Sequence, residues 1–328
     1  MEGHARAYTN IWAGVRGVNY VPSYSRNPIQ TFADYDRSTV ERELGFAQRL
    51  NLNAVRVFLH LFAWAANRSQ FLADFDHLVS ACAARGLKPL IVLFDDDFFD
   101  VPNITTALEA STWVATRAYR RSNWMANPGM PMLGADYASG FALAAAYIDD
   151  VAGGARAGDA RLLGFDVMNE PSRTAPFAGG LARFISFAIN RTAASSRAVM
   201  TTVDDYSGAP ADLHAHETGR SYHHYYHYSR WRDCATNKSD VRASQGAIAA
   251  AQYAAAARAG QPVLLSEFGQ AECYCPAAQA VQAAGVGWIA WELIATHDQF
   301  GDFQGLVDAS GEPRSVAEVE CIKRLAKG

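Results

Sequence analysis

Eight short apolar runs, each followed by a longer segment of helical periodicity, give this 328-residue sequence its pattern. The runs are apolar almost throughout instead of alternating with polar residues, which is typical of strands buried on both faces of a parallel sheet. Eight parallel strands joined by helices favour closure into a barrel. The predicted strands are residues 15–20, 54–59, 90–94, 163–168, 198–202, 221–226, 263–266 and 286–291. The sequence therefore predicts an α/β fold, a single (β/α)8 TIM barrel.

The segments between the strands carry helix signals. A helix predicted from Ser38 to Leu50 opens with a capping-box pattern formed by Ser38 and Glu41. A second helix, predicted from Gln70 to Arg85, is followed by Gly86, and glycine is the residue type that most often follows a helix end. Both segments have apolar residues at helical spacing, so each is expected to pack one face against the sheet.

The longest irregular stretch covers about residues 95–138, after the third predicted strand. In a barrel this stretch would be a βα loop, and such loops lie on the face that carries active sites. No Pro/Ser-rich linker, charge block or internal repeat interrupts the alternation of strands and helices. We therefore expect residues 1–328 to form a single domain.

Charge and hydropathy exclude some classes of partner. The net charge is −4 and the isoelectric point is about 6.1, so there is no basic field to attract a phosphate backbone. No apolar run approaches the length of a membrane span, and residues 1–15 lack the order of a signal peptide. We expect a monomer with no nucleic-acid and no membrane partner that acts on a neutral or weakly charged substrate.

Cysteines and glycosylation triplets bear on the cellular compartment. The cysteines are odd in number, so at least one is free or paired between chains if the compartment is oxidising. Four Asn-X-Ser/Thr triplets favour a secreted glycoprotein, although such short triplets also occur by chance. The cysteines are Cys82, Cys234, Cys273, Cys275 and Cys321, and the triplets start at Asn67, Asn103, Asn190 and Asn237.

Two acidic residues stand at the ends of predicted strands four and seven. Glu170 follows strand four in the tripeptide NEP, and Glu267 ends strand seven in the run SEFG. Because the carboxyl ends of all barrel strands meet at one mouth, we expect the two carboxylates to face each other across it. One such carboxylate can attack an anomeric carbon while the other protonates the leaving oxygen, as retaining glycoside hydrolysis requires. The alternative for Glu170 is a solvated turn at a strand end.

Six short motifs occur in barrel order along the chain. They are RGVNY at 16–20, NAVRV at 53–57, NEP at 169–171, HHY at 223–225, SEFG at 266–269 and WIAW at 288–291. Together they make the whole sequence resemble the clan A retaining glycoside hydrolases, most closely glycoside hydrolase family 5 and its cellulase-like relatives, some of them named 1,4-β-xylanases. The resemblance implies a hydrolase, a retaining β-glycosidase whose catalytic domain is the whole of 1–328, with no cofactor and no metal.

The resemblance also implies roles for residues in these motifs. Glu170 would be the general acid/base and Glu267 the nucleophile of a double displacement, and Asn169 would hydrogen-bond the sugar 2-hydroxyl. Arg56 would hold Glu267 ionised, because a nearby cation lowers a carboxylate pKa by ~1 to 3 units, and a purely structural ion pair is the alternative. Trp291 would form the floor under the sugar at the cleavage point, since the apolar face of a pyranose stacks on an aromatic plane.

The sequence leaves open which side chains of strand six face the mouth of the barrel. The family pattern His-X-Tyr fits either His223 with Tyr225 or His224 with Tyr226, and period-two alternation lets only one pair face the mouth. We predict His223 and Tyr225 from the alignment with the resembled family, so that Tyr225 donates to Glu267 and His223 contacts sugar hydroxyls. The histidines of this run also suggest a metal site, which we do not expect because no partner cluster with ligand spacing accompanies them.

The end of strand three departs from the family pattern. Family members usually carry a histidine there that reaches the substrate, whereas this chain has Asp95, Asp96 and Asp97. We expect Asp95 to accept hydrogen bonds from sugar hydroxyls, and the alternatives are that the cluster is solvated or binds a cation. Trp124, in the long loop, is expected either to form a further sugar platform or to anchor that loop.

The expected substrate is a β-linked glucan, mannan or xylan, or an oligosaccharide derived from one, so the role would be polysaccharide degradation in carbohydrate metabolism. Two other functions stay open. One is a carbohydrate-binding protein that has lost catalysis on a glycosidase scaffold. The other is a metal-dependent barrel hydrolase that uses residues 95–97 and the histidines, and such an enzyme would lose activity with a chelator.

Overall fold

The computed structural model describes residues 8–96, 102–129, 131–132, 137–171, 178–193, 199–204, 217–226, 236–269, 273–295 and 304–327. Its strands form one closed, parallel barrel in which each strand pairs with its neighbour in sequence and the last strand returns to the first. The strands are β1 (Arg16–Asn19), β2 (Ala54–Phe58), β3 (Lys88–Asp95), β4 (Gly164–Asn169), β5 (Val199–Asp204), β6 (Arg220–His223), β7 (Val263–Glu267) and β8 (Gly287–Ala290).

The predicted (β/α)8 TIM barrel is confirmed. Each observed strand begins and ends within three residues of its predicted bounds. Strands β2, β4, β7 and β8 are buried at every position. A strand covered on the outside by helices and on the inside by other strands has no solvent-facing side, and for this reason the sequence shows continuous apolar runs.

Helices cover the barrel or lie on the connections between strands. They are α1 (Pro28–Ala33), α2 (Arg37–Arg49), α3 (Leu61–Ala66), α4 (Arg68–Ala83), α5 (Ala107–Ala115), α6 (Tyr137–Ala152), α7 (Ala178–Ala193), α8 (Lys238–Ala259), α9 (Tyr274–Ala283) and α10 (Val316–Ala326). Short 3-10 turns occur at Ala118–Arg121 and Gly154–Arg156. Among the described residues, no helix has both the length and the apolar character needed to cross a bilayer.

The two helices predicted in detail are present as α2 and α4, but their first turns differ from the prediction. The N-cap of α2 is Asp36, whose carboxylate accepts a hydrogen bond from the backbone N–H of Ser38. The predicted capping box of Ser38 and Glu41 is therefore wrong, because an acceptor two residues earlier satisfies the first turn. Helix α4 is capped by Asn67. Gly86, beyond the end of α4, has φ of 71°, the left-handed conformation that favours glycine there.

The segment predicted as a long irregular loop, residues 95–138, contains helical structure of its own. Helix α5 begins at a capping box in which the Thr106 side chain accepts from the backbone of Glu109, and the Glu109 side chain accepts from the backbone of Thr106. The box satisfies N–H groups that a helix start would otherwise leave without partners. The segment still connects β3 to the outer helix α6, which begins at its end.

Asn127 attaches this segment to the barrel. Its side-chain amide donates to the carbonyl of Leu59 at 3.0 Å and to the carbonyl of Leu93 at 2.6 Å. Its backbone forms an antiparallel bridge with Asp95, with N–H to O distances of 3.0 and 2.8 Å. The part of the segment that carries Trp124 is therefore fixed to the carboxyl ends of β2 and β3.

Apolar side chains fill the two ends of the barrel interior. The cluster at the amino ends of the strands consists of Trp12, Val15, Ala54, Leu90, Leu264 and Ile289. The cluster at the carboxyl ends consists of Val21, Phe58, Val92, Trp124, Tyr225 and Trp291. The amino end of the interior is therefore closed by apolar packing, and the described polar side chains of the interior that are treated below lie toward the carboxyl end.

One disulfide joins two outer helices. It links Cys275, at the start of α9, to Cys321 in α10, and it spans 46 residues of sequence. Cys273 also takes part in a disulfide, whereas Cys82 is buried and free. Cys234 lies outside the described residues.

Candidate active site

Glu170 and Glu267 lie close together at the carboxyl end of the barrel, with one imidazole between them. Glu170 follows β4, Glu267 ends β7 and His223 ends β6. The Nδ1 atom of His223 lies 2.7 Å from Oε1 of Glu170, and its Nε2 atom lies 3.4 Å from Oε1 of Glu267. One oxygen of each carboxylate and a ring nitrogen of His223 lie within 4.8 Å of one another. All three side chains are buried, so their charges are weakly screened by water.

Irregular strand ends accompany these side chains at the mouth of the barrel. The pairing of β4 with β5 shifts register between Asp166 and Asn169, and the pairing of β6 with β7 shifts between Tyr222 and His223. Glu170 has φ of 43°, in the left-handed region that residues other than glycine seldom adopt. Such backbone conformations concentrate at functional sites, where the surrounding structure holds them in place.

Arg56, on β2, lies at the centre of a buried polar network. Its guanidinium donates to the side chains of Glu267 at 2.5 Å, Asp166 at 2.7 and 3.0 Å, Asn169 at 2.6 Å and Asn19 at 3.0 Å. Burial lowers the pKa of Arg56, but the charges of Asp166 and Glu267 outweigh burial and raise it above its ordinary value. Arg56 is therefore a permanent cation in contact with Glu267.

Two members of this network, Asp166 and Asn19, were given no role in the sequence analysis, although Asn19 lies in the motif RGVNY. Asp166 is fully buried within β4. The amide nitrogen of Asn19 donates to the carbonyl of Ser266 at 2.9 Å and to that of Ala290 at 3.3 Å, so it joins β1 to β7 and β8. A charged residue inside an otherwise apolar strand was the signal for Asp166, because burying a charge is costly unless it is paired.

Glu267 is held by donors on both of its oxygens. The hydroxyl of Tyr225 donates to Oε2 at 2.9 Å, and Arg56 donates to Oε1. Burial raises the pKa of the Glu267 carboxyl well above its ordinary value against the opposing charge of Arg56, and the charge of Glu170 raises it further. The two carboxyl groups therefore do not both ionise readily, and the pair retains a proton to higher pH than isolated glutamates would.

Three aromatic rings form a corner beside the carboxylates. The ring of Trp124 meets the rings of Phe58 and Trp291 edge-on, with centroids 5.0 and 5.6 Å apart. Phe58 and Trp291 meet in the same way at 5.8 Å. Tyr225, which donates to Glu267, belongs to the same cluster. Aromatic surfaces are thus built next to the polar network.

Asp95 joins this aromatic corner to the network. One oxygen of its carboxylate accepts from the indole N–H of Trp124 at 2.7 Å, and the other accepts from the amide of Asn169 at 3.1 Å. Both oxygens of Asp95 therefore meet protein donors. Its neighbour Asp96 is buried and donates its backbone N–H to the carbonyl of Asn169 at 3.0 Å. Asp97 lies outside the described residues.

The other pair considered on strand six lies away from the carboxylates. The Nε2 atom of His224 lies 2.9 Å from the hydroxyl of Ser244 on α8, and Tyr226 is buried in the main apolar core. The structure thus brings His223 and Tyr225 to the site. His227, the third histidine of the run, lies outside the described residues.

Within the described part of the chain, the group that could hold a metal ion consists of Glu170, His223 and Glu267. Neither Asp95 nor His224 belongs to it. Two carboxylates and an imidazole are ordinary ligands for divalent transition metals, but two neighbouring carboxylates are also the acid/base and nucleophile pair that retaining glycoside hydrolysis uses.

Solved structures share this fold, although no protein-family model and no curated protein sequence matches the chain. The exo-beta-1,4-mannosidase Op5Man5 from Opitutaceae bacterium strain TAV5 is 17% identical over 100% of this chain and 62% of its own, with a TM-score of 0.63. The endo-1,4-beta-mannanase from Rhizomucor miehei is 16% identical over 96% of this chain and 95% of its own, with a TM-score of 0.64. A GH5_18 protein from Streptomyces cattleya in complex with GlcNAc is 18% identical over 95% of this chain and 80% of its own, with a TM-score of 0.66.

The TM-scores show that these proteins share the fold of this chain. This chain spans 62% of the length of the mannosidase. A shared fold does not determine function, which depends on the residues at the mouth of the barrel.

Proposed function

We propose that this chain is a retaining β-glycosidase of the glycoside hydrolase family 5 type, with Glu267 as nucleophile and Glu170 as general acid/base. The observation that carries the proposal is the unequal surroundings of two neighbouring buried carboxylates. Arg56 and Tyr225 donate to Glu267, whereas Glu170 meets His223. Retention needs carboxyl groups about 5 to 5.5 Å apart and inversion about 6.5 to 9.5 Å. A carboxylate oxygen of Glu170 and one of Glu267 lie within 4.8 Å of each other. This spacing leaves little room for the intervening water that inversion needs, and it therefore supports retention.

The reaction takes place in two displacements. In the first, a lone pair of the Glu267 carboxylate attacks the anomeric carbon, and the glycosidic C–O bond breaks as Glu170 gives its proton to the leaving oxygen. In the second, Glu170 removes a proton from water, the water oxygen attacks the anomeric carbon, and the Glu267 carboxylate leaves. Each displacement inverts the anomeric centre, so the product keeps the β configuration.

The shared proton fits these roles. Burial and the charge of Glu170 raise the pKa of Glu267, so the pair gives up its last proton at a higher pH than two isolated carboxyl groups would. Arg56 stabilises negative charge on Glu267, so the proton is better placed on Glu170, where the leaving group needs it. Once Glu267 is esterified its charge is gone, and Glu170 then loses its proton more easily and can act as a base. The ring nitrogen of His223 lies 2.7 Å from Glu170 and would orient the acid, in addition to the predicted contact of His223 with sugar hydroxyls.

Other predicted residues would bind the sugar. Asn169 would hydrogen-bond the 2-hydroxyl, a contact that strengthens in the transition state. Trp291 would form the floor beneath the sugar at the cleavage point, and Trp124 would extend that surface from the loop. The edge contact of the two tryptophan rings supports a continuous aromatic wall.

We infer that a β-linked mannoside is the first substrate to test among glucan, mannan and xylan. The support is that two proteins of the same fold are an exo-beta-1,4-mannosidase and an endo-1,4-beta-mannanase. The sugar would be a polysaccharide or an oligosaccharide derived from it.

We also propose that the protein works as a monomeric single domain in an oxidising, extracytoplasmic compartment. The disulfide between Cys275 and Cys321 supports the oxidising compartment, because such bonds persist there. Asn67 and Asn103, which begin two of the four glycosylation triplets, are exposed. Secretion followed by removal of N-linked glycans, read as a change in mass, would test this proposal.

A substrate panel tests the proposed activity. The protein is incubated with aryl β-mannoside, β-glucoside and β-xyloside and with the corresponding polysaccharides, with and without a chelator. We expect release from at least one substrate, a β-configured sugar as the first product by NMR, and no effect of the chelator. Release of the α anomer first would contradict retention. Activity lost with chelator would favour the metal-dependent hydrolase, and binding without turnover would favour the binding protein.

A further inference from the structure

We propose that Asp95 is a positioning residue: it fixes the orientation of the Asn169 amide, so that Asn169 offers an N–H donor to the sugar 2-hydroxyl. The inference rests on the proposed glycosidase function. It replaces the expectation that Asp95 itself accepts bonds from the sugar, and it explains why an aspartate occupies a place where a substrate-contacting histidine was expected.

The contacts of Asp95 commit its carboxylate to the protein. One oxygen lies 3.1 Å from the amide nitrogen of Asn169, and the other lies 2.7 Å from the indole nitrogen of Trp124. The side chain is buried, with 3% of the residue exposed. A buried carboxylate that accepts on both oxygens is held in one orientation, because turning it would leave two donors without acceptors.

Chemistry fixes the direction of the Asn169 amide at both ends. The carbonyl oxygen of the amide accepts from Arg56 at 2.6 Å, and a guanidinium can only donate. The amide nitrogen faces Asp95, and an ionised carboxylate can only accept. A flipped amide would point oxygen at carboxylate and nitrogen at guanidinium, so it is excluded. One N–H of Asn169 is directed to Asp95, and the second N–H on the same nitrogen is the donor for the sugar.

The same carboxylate connects this donor to the aromatic wall. Trp124 meets Trp291 edge-on at 5.6 Å, so its position limits where the sugar floor can lie. The backbone of Asp95 is bridged to Asn127, which holds the Trp124 segment on the strand ends. The Asp95 carboxylate therefore contacts both Trp124, on the loop beside the aromatic surface, and Asn169, which would donate to the 2-hydroxyl.

Asp95→Asn is the informative variant because it keeps the size of the side chain and changes only its hydrogen-bonding character. An asparagine offers one acceptor and one donor group, whereas both neighbours, Trp124 and Asn169, donate. It can satisfy one of them, and Arg56 prevents Asn169 from flipping to accommodate the change. Trp124→Phe is the matched control, since it removes the indole N–H and leaves the contact between Asp95 and Asn169 in place.

The experiment compares two substrates on each full-length protein. They are the aryl β-glycoside that the wild type hydrolyses best and its 2-deoxy counterpart, which lacks the hydroxyl that Asn169 would contact. We expect Asp95→Asn to lower kcat/KM on the 2-hydroxy substrate by roughly ten- to a hundredfold and on the 2-deoxy substrate by less than about threefold. We expect Trp124→Phe to lower both by similar factors.

Equal losses on both substrates with Asp95→Asn would overturn the inference, because a structural defect does not depend on the 2-hydroxyl. A 2-hydroxyl-dependent loss in Trp124→Phe as large as that in Asp95→Asn would also overturn the inference. If Asp95→Asn does not fold, as judged by its thermal unfolding, Asp95→Ser is put through the same comparison. Turnover by the wild type is measured first. If the wild type hydrolyses no substrate, both the proposed function and the inference fail. If the wild type is active but Asp95→Asn loses equal activity on both substrates, only the inference fails.

Discussion

Arg56 donates two hydrogen bonds to a single oxygen of Asp166, at 2.7 and 3.0 Å, and both side chains are fully buried. The cation that contacts the proposed nucleophile is thus itself fixed by a second carboxylate, on the strand that also carries Asn169. A buried ion pair of this kind adds little net stability compared with apolar packing, but it specifies where the guanidinium lies.

Loss of Asp166 is expected to destabilise the fold. Asp166→Ala leaves Arg56 with one fewer buried counter-charge, and breaking such a pair costs about 3 to 5 kcal/mol of the free energy of unfolding. Asp76→Ala is the control: Asp76 pairs with Arg156 at 2.7 Å, but its side chain is 54% exposed. The control is expected to cost about 1 kcal/mol or less. Urea denaturation of both variants measures the difference, and equally small losses would show that Asp166 is not needed as a counter-charge.

Removal of the proposed acid/base is expected to slow substrates according to their leaving groups. Glu170→Ala should lower kcat/KM by about a hundredfold or more on alkyl or sugar leaving groups, because general acid catalysis contributes about 10² to 10⁴-fold. Activated aryl glycosides, whose leaving oxygen needs no proton, should be much less affected in their first displacement. Kinetics on a series of aryl glycosides of graded leaving-group acidity measure this, and uniform slowing would count against Glu170 as the acid.

His60 is expected to make stability depend on pH. It is fully buried as the N-cap of α3, where it accepts from the backbone N–H of Phe62 and lies 3.1 Å from the carbonyl of Ala126. Burial lowers its pKa from 6.5 to about 3. Below about pH 6.5 the unfolded chain binds a proton that the folded chain does not. Above about pH 6.5 the titration of His60 therefore does not reduce the free energy of unfolding. Below that pH it lowers the free energy of unfolding by about 1.4 kcal/mol per pH unit.

The variant His60→Asn keeps a capping side chain and removes the titrating ring. Urea denaturation between about pH 7 and about pH 4 is expected to show a smaller loss of stability in this variant than in the wild type. The slopes of the free energy of unfolding against pH should differ by the binding of one proton, about 1.4 kcal/mol per pH unit. The comparison by difference removes the contributions of other groups, including Glu267. Parallel curves for the two proteins would mean that His60 is protonated in the folded state.

The disulfide between the outer helices is expected to stabilise the fold. Its two cysteines are 46 residues apart. In the chain-entropy account, a loop of that size contributes about 4 kcal/mol by restricting the unfolded chain. The double variant Cys275→Ala with Cys321→Ala should lose about that much free energy of unfolding, and Cys82→Ala, which breaks no disulfide, is the control. A loss no larger than that of the control would show that the bond contributes little.

The barrel could be predicted because its signal is local. Each strand is a short apolar run, and runs such as 54–59 and 263–266 are recognisable without knowledge of their neighbours. Helix starts were less certain because Asp36 and Ser38 are both good caps, and only the backbone geometry decides between them. Helix α5 was missed because its capping box lies inside a stretch dominated by turn signals.

The site was only partly visible in the sequence. Glu170 and Glu267 stand at strand ends in recognisable motifs, so barrel topology brings them together. The partner of Arg56 lies 110 residues away in a strand that otherwise is apolar, and no local pattern joins them. The contact between Trp124 and Asp95 depends on how a long connection folds back over the barrel, which residue spacing does not specify.

Covalent trapping tests the central claim most directly. The protein is incubated with a 2-deoxy-2-fluoro glycoside of the preferred sugar with a good leaving group, which forms the glycosyl-enzyme faster than water releases it, and is then digested and analysed by mass spectrometry. The proposed mechanism predicts one added sugar on the peptide that contains Glu267, and none in Glu267→Gln. A label on Glu170, or no label while the wild type still hydrolyses the parent glycoside, would contradict Glu267 as the nucleophile of a double displacement.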